Sequence, residues 1–191
     1  QISVQSIQGS METEILELTT DSRQVKKGTL FIAVKGTKVD GNEFIEKAIA
    51  AGAVAIVSEY SPQQSVSVVW IQVEDATAAV GWIAAGFYRN PSASLKVTGV
   101  TGTNGKTTIA TLLYKLFTRR GYVCGLISTV ENRIGDQVIP ATHTTPDAIN
   151  LQLLLFQMKN AGCTHVFMEV SSHAIHQHRI AGISFSGGIF S

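Results

Sequence analysis

The stretch best equipped for chemistry is Gly99-Val100-Thr101-Gly102-Thr103-Asn104-Gly105-Lys106-Thr107-Thr108. It follows a strand-like apolar run, Leu95 to Val100, and opens an amphipathic helix, so backbone N–H groups and a helix N-terminus converge on one point. Glycines at 102 and 105 let the backbone approach an anion with no Cβ in the way. Lys106 can reach outer phosphates, and the Thr107 hydroxyl suits Mg²⁺. The chemistry is phosphate binding and phosphoryl transfer. The strict Walker spacing, G-x-x-x-x-G-K-[ST], would place a glycine where this chain has Val100, so the match is partial. An ordinary glycine-rich turn between strand and helix is the plainer alternative.

Further along, Glu169 is embedded near the end of the apolar run Val166-Phe167-Met168-Glu169-Val170. A carboxylate at the C-terminal end of a strand in such a sheet lies on the edge from which the phosphate loop emerges, and there it can hold Mg²⁺. The alternative is an ion pair within the sheet. All five histidines, at 143, 165, 173, 176 and 178, lie in the last third. The spacing His173-x-x-His176-x-His178 invites a zinc reading, but further ligands in register are wanting. Ser171-Ser172-His173 lacks the elbow of a serine nucleophile. Hydroxyls and the Arg179 fork there fit an anionic substrate better. Asp21-Ser22-Arg23 and Thr144-Thr145, taken singly, read as a surface turn and a helix cap.

These residues need elements to hold them. Leu30–Val34, Ala53–Val57 and Val68–Val73 read as strands, and a helix with Phe44, Ile45, Ala48 and Ile49 on one face runs from Asn42 to Gly52. Another helix, capped by Asp75, reaches about Tyr88. Arg89-Asn90-Pro91-Ser92-Ala93-Ser94 breaks the chain, which places a domain boundary between 1–90 and 91–191. Beyond it Ile109, Leu112, Leu113, Leu116 and Phe117 predict a core-facing helical stripe. Val123–Ile127 is the next strand, and residues 131–139 form a hairpin or excursion. A helix capped by Thr144, with Pro146 in its first turn, runs to Ala161. His165–Val170 and Phe185–Phe190 are further strands, with a turn into helix at Ser171–Arg179 between them. This alternation predicts an α/β fold: a small N-terminal α/β domain followed by part of a P-loop parallel sheet with right-handed crossovers.

Bulk properties narrow the classes. Of 191 residues 45% are hydrophobic and 15% charged, enough apolar material for a real core. Fifteen Lys and Arg face fourteen Asp and Glu, so nothing advertises a nucleic-acid or membrane-surface partner. Cys124 and Cys163 sit in apolar contexts without metal-ligand spacing and read as buried free thiols, consistent with a cytoplasmic, reducing compartment. No apolar run approaches the ~20 residues of a membrane span. The chain starts at Gln1 and stops within a strand-like run, from which a piece of a longer protein is expected.

Taken together, these motifs resemble the Mur ligases, ATP-dependent enzymes that add amino acids to the peptidoglycan precursor. Thr101 to Thr108 is similar to that family's own variant of the phosphate loop, which accommodates Val100. Asp21-Ser22-Arg23, Gly28 to Val34, Asp40-Gly41, His143-Thr144-Thr145-Pro146-Asp147 and Glu169-Val170-Ser171-Ser172-His173-Ala174 follow in matching order, closest to the branch that adds a diamino acid. The resemblance implies that Gly102, Thr103, Asn104, Gly105, Lys106, Thr107 and Thr108 hold ATP, with Lys106 catalytic, and that Thr107 and Glu169 serve Mg²⁺. It implies that Thr20, Ser22, Thr37, Lys38 and Val39 contact the uridine diphosphate end of a UDP-N-acetylmuramoyl dipeptide. Thr144, Thr145, Ser171, Gln177 and Arg179 would contact its muramoyl-peptide end. His173 receives no role. A carbamylated lysine, an Asp-His metal motif and an amino-acid-binding third domain are expected downstream, so the piece alone is expected to be inactive and the intact protein monomeric. Lysine and diaminopimelate both remain open as the added residue. A non-catalytic nucleotide-sugar-binding module, another ligase of the same superfamily and a generic P-loop kinase or NTPase remain as alternatives.

Overall fold

Short β-branched runs alternating with helical segments fold as two α/β units, Gln1–Val80 and Gly81–Ser191. The computed structural model describes residues 2–36, 39–62, 67–141 and 144–191. The second unit has the parallel-rich sheet that the alternation predicts, and the first unit also has a mostly parallel sheet.

In the first unit, β1 (Val4–Gln8), β2 (Glu17–Thr19), β3 (Thr29–Ile32), β4 (Ala53–Ser58) and β5 (Val69–Val73) form a sheet in the order β1-β5-β4-β3-β2. All neighbours are parallel except β1 and β5. Helix α1 (Ile45–Ala50) lays Ile45 and Ala48 against Phe31, Ala33, Ile56 and Trp70, a core that excludes water from the fully buried Phe31 ring. The Trp70 indole N–H is satisfied by the Tyr60 carbonyl at 2.8 Å. Two strands are additional to the expected set. β1 is an exposed antiparallel edge, and β2 occupies what reads in the sequence as the start of a polar turn.

In the second unit, β6 (Lys96–Thr101), β7 (Cys124–Ile127), β8 (Glu131–Ile134), β9 (Gln137–Pro140), β10 (His165–Glu169) and β11 (Phe185–Phe190) are ordered β11-β6-β10-β7-β8-β9. The first four in that order are parallel, and the β8–β9 hairpin continues the sheet antiparallel. Period-two alternation along β10 sends Val166 and Met168 to one face and Phe167 to the other. On the first face α4 (Ala148–Asn160) buries Leu151, Leu155 and Met158 completely, each worth about 1.5–3 kcal/mol. On the second face α3 (Lys106–Arg119) packs against β6, β7 and β10.

The stripe expected on α3 is corrected by this packing. Ala110 and Tyr114 are buried, flanked by Ile109, Leu113 and Phe117, whereas Leu112 and Leu116 are 61% and 53% exposed. A small residue lets the helix approach the sheet closely, and the Tyr114 hydroxyl donates to the Gly135 carbonyl at 2.9 Å. The expected Thr144 cap is also corrected. Asp147 caps α4 by accepting from the Asn150 N–H at 3.0 Å, and Pro146 precedes the cap.

Helix α2 (Ala76–Phe87) runs across the division at Val80 and Gly81, earlier than the break at Arg89–Ser94. Its second half belongs with the later unit because Gly81 touches the turn after α5 (Ser172–His176): a Cβ at Gly81 would collide with the Ala181 carbonyl oxygen. The effect of adding that methyl is therefore opposite to intrinsic propensity. Gly81→Ala in an open helix would stabilise by up to about 1 kcal/mol; here overpacking against backbone is expected to destabilise by about 1–3 kcal/mol, measured by urea unfolding. A gain in stability would contradict this packing.

Candidate active site

The second unit's topology explains why distant residues meet. β10 pairs with β6 in the register Glu169↔Val100, so the end of β10 lies beside the start of the phosphate loop. On its other side β10 pairs with β7 in the register Met168↔Ile127, so the same strand end faces the turn after β7. These strand ends open on a cavity of about 420 Å³, at the carboxyl edge where ligands bind in sheets of this kind.

The loop is built as an anion cradle. Gly105 sits at the N-cap of α3 with φ +79°, a left-handed conformation suited to glycine, and no side chain caps the helix. The first helical bond is from the Ile109 N–H to the Gly105 carbonyl, which leaves the N–H groups of Lys106, Thr107 and Thr108 without intrahelical acceptors. Gly102 has φ +135°, and a Cβ there would fall on the Ser191 carbonyl. Ser191 braces the loop. Its carbonyl accepts from the Thr103 N–H at 3.2 Å, and its hydroxyl donates to the Asn104 carbonyl at 2.6 Å. The Lys106 ammonium rests on the carbonyls of Gly102 and Thr103, at 2.9 and 3.3 Å.

Glu169 is 1% exposed yet borders the cavity. Its Oε1 accepts from the Thr129 N–H at 2.8 Å and its Oε2 from the Thr129 hydroxyl at 3.2 Å. Among the described residues no cation pairs with Glu169, and the bonds its carboxylate accepts come from the neutral Thr129. Hard oxygen donors from Glu169 and Thr107 on one cavity match what Mg²⁺ takes from protein, with water and phosphate oxygens completing its shell. Among the described residues no three His, Cys, Asp or Glu side chains converge as a metal cluster, and His173, His176 and His178 are exposed.

The structure brings Gly102 through Thr107, Thr144, Glu169 and Ser171 to that one cavity, with His173 and Thr129 beside them. Thr108 lies outside the lining, exposed on the first turn of α3. The Thr145 side chain is 1% exposed: its hydroxyl donates to the Glu169 carbonyl at 3.0 Å and accepts from the Ser171 N–H at 3.4 Å. Arg179 donates to the Thr145 carbonyl at 2.8 Å, and its other bonds go to the Gln177 amide oxygen at 2.9 and 2.6 Å. Gln177 and Arg179 thus tie the segment after α5 to the one before α4, and neither lines the cavity. Thr129 has no motif in the sequence; only the non-local register of β7 beside β10 reveals it.

In the first unit, Thr20 and the segment after β3 follow the carboxyl ends of adjacent parallel strands. The Asp21 carboxylate accepts from the Arg23 backbone N–H at 2.9 Å and from its guanidinium at 2.9 and 2.7 Å. The guanidinium, and after it that N–H, hold the Asp21 carboxyl down to a pKa of about 2. This shapes the half-buried Ser22 turn more than it stabilises the fold, since the Arg23 side chain is 82% exposed. Asp40 accepts from the Asn42 N–H at 2.9 Å, which lowers its carboxyl, and the Ser58 hydroxyl donates to the Asn42 amide oxygen at 2.8 Å. Val39 is exposed there, while Thr37, Lys38 and His143 lie outside the described residues. Both cysteines are buried and free, and burial pushes their thiols up.

Comparison with known proteins accounts for both units. Residues 14–88 match the family described as "Mur ligase family, catalytic domain", and residues 100–191 match "Mur ligase middle domain". The chain belongs to the Mur ligase family. Among Mur ligases, it is 54% identical over its whole length to a UDP-N-acetylmuramoyl-L-alanyl-D-glutamate--2,6-diaminopimelate ligase of Cytophaga hutchinsonii, covering 40% of that protein. It is 43% identical over 96% of its length to the ligase of the same name from Caldanaerobacter subterraneus subsp. tengcongensis, covering 38% of that protein. The chain thus spans about 40% of the length of the curated Mur ligases it matches. A solved structure of a ligase of that name aligns with a TM-score of 0.75 at 28% identity, covering 93% of this chain and 36% of that one. A MurF ligase from Thermotoga maritima, solved in complex with ADP, aligns with a TM-score of 0.55 at 27% identity, covering 84% of this chain and 32% of that one.

Proposed function

We propose that the complete protein joins diaminopimelate to the D-glutamate carboxylate of UDP-N-acetylmuramoyl-L-alanyl-D-glutamate, using ATP. One observation carries this reading: a phosphate loop and a buried, hydrogen-bonded carboxylate share one cavity, in a chain 54% identical to a ligase named for that reaction. A carboxylate is a poor acyl donor at neutral pH, so phosphoryl transfer from ATP activates it, and the incoming amine then displaces phosphate. The loop N–H groups and Lys106 hold the phosphates and stabilise charge on the group in transfer. Thr107 and Glu169 hold Mg²⁺, which when bound neutralises phosphate charge. The reaction is placed in the cytoplasm, where ATP and nucleotide-linked substrates are available; no helix among the described residues is long and apolar enough to cross a membrane.

Thr20, Ser22 and the segment Thr37 to Val39 contact the uridine diphosphate end; for Thr20 and Ser22 support comes from their place just after the carboxyl end of β2. Thr144 and Ser171 contact the peptide end from the cavity lining. Thr145, Gln177 and Arg179 hold those two in place through the bonds between their segments. The assignment of diaminopimelate over lysine is supported by the names of the relatives.

The test supplies the complete protein with ATP, Mg²⁺, the UDP-dipeptide and either diaminopimelate or lysine, and weighs the product by mass spectrometry. A product heavier by one diaminopimelate residue for each ADP released is expected. ADP release without the dipeptide would indicate a generic NTPase, and dipeptide binding without ATP use would indicate a binding module.

A further inference from the structure

The turn between β7 and β8 is more ordered than a connecting turn requires. The Ser128 hydroxyl donates to the Glu131 carbonyl at 2.7 Å, and the Ser128 N–H donates to the amide oxygen of buried Asn132 at 3.3 Å. These bonds fix the residue between them, Thr129, whose own side chain is exposed at the cavity. From that position Thr129 gives one donor to each oxygen of Glu169, its N–H to Oε1 and its hydroxyl to Oε2. Two donors on two oxygens restrain both the position and the rotation of a carboxylate, which one donor cannot do.

We infer that Thr129 is a positioning residue for Mg²⁺ binding: its hydroxyl orients Glu169 so that the remaining lone pairs face the phosphate loop. This rests on the assignment of Glu169 to the metal. The bond runs between β10 and the β7–β8 turn, forty positions apart in the chain, so the device is a product of sheet order and not of any local motif. Valine at 129 would keep the shape and the N–H bond and delete only the hydroxyl bond. Serine would keep both.

The test measures Mn²⁺ binding by electron paramagnetic resonance in the complete protein, with the β,γ-imido analogue of ATP present. Thr129→Val is expected to raise the apparent Kd for Mn²⁺ roughly tenfold, and Thr129→Ser to remain within about twofold of the unmodified protein. Glu169→Gln is expected to weaken binding further, and adding Thr129→Val to it is expected to have no additional effect, because Thr129 acts through Glu169. Unchanged affinity in Thr129→Val, or equal weakening in Thr129→Ser, would overturn the positioning role while leaving the metal assignment intact if Glu169→Gln still weakens binding. Unchanged affinity in Glu169→Gln would overturn the metal assignment and the positioning role with it.

Discussion

Replacing Lys106 by alanine in the complete protein is expected to lower the rate of ligation by about 10²–10³-fold, the range seen when one preorganised donor to a charged transition state is removed. The structure explains why so much would depend on one side chain. Lys106 is the cation that the loop itself contributes to the cavity, and its ammonium lies 2.9 and 3.3 Å from the Gly102 and Thr103 carbonyls. Those carbonyls hold the ammonium at the mouth of the cradle, from which it can turn to phosphate oxygens. Lys106 is only half-buried and no fold-determining contact depends on it, so the unfolding midpoint of Lys106→Ala should stay close to that of the unmodified protein. The check is a steady-state assay with saturating UDP-dipeptide and diaminopimelate. Ligation at the normal rate would remove Lys106 from the chemistry.

Gly102→Ala is expected to act by a different route, through the backbone. The new methyl would occupy the place of the Ser191 carbonyl, and φ +135° is closed to residues with a Cβ. Either the loop or the end of β11 must move, which breaks the Thr103 to Ser191 bond and displaces the neighbouring N–H groups. A misplacement of about 1 Å in such a site costs on the order of 10²-fold in rate, and the overpacking itself is expected to cost about 1–3 kcal/mol. Calorimetry with Mg·ATP and urea unfolding read the two effects separately. Unaltered nucleotide affinity in Gly102→Ala would show that the loop binds phosphate in some other conformation.

How far these features are legible before folding depends on whether their causes are local. The phosphate loop is legible because glycine, lysine and threonine at the junction of a strand and a helix form a local signal. Strands β4, β5, β6 and β10 are legible because each is a short apolar or β-branched run bounded by turns. β1 is not: its sequence Val4-Gln5-Ser6-Ile7-Gln8 makes an exposed edge that pairs with β5, a neighbour more than sixty positions away. β2 is a three-residue strand, Glu17-Leu18-Thr19, in which a buried threonine looks like the start of a turn. On α3 the leucines outweigh Ala110 in any hydrophobic pattern, yet the close approach of helix to sheet favours the smaller residue. At α4 two cap-forming residues compete within a few positions, and Asp147 prevails because it lies directly ahead of the first helical turn. Glu169 is half legible, since its strand is plain in the sequence but its partner is not. Thr129 becomes visible only when β7 and β10 are seen side by side.

The cavity shared by the phosphate loop and Glu169 is proposed to activate a carboxylate as an acyl phosphate. This role is tested most directly by labelling the D-glutamate carboxylate of the UDP-dipeptide with ¹⁸O and analysing the phosphate released during ligation with diaminopimelate. Activation by phosphoryl transfer predicts that one carboxylate oxygen leaves with the phosphate, so labelled phosphate and ligated product should form together. Ligated product accompanied only by unlabelled phosphate would contradict it.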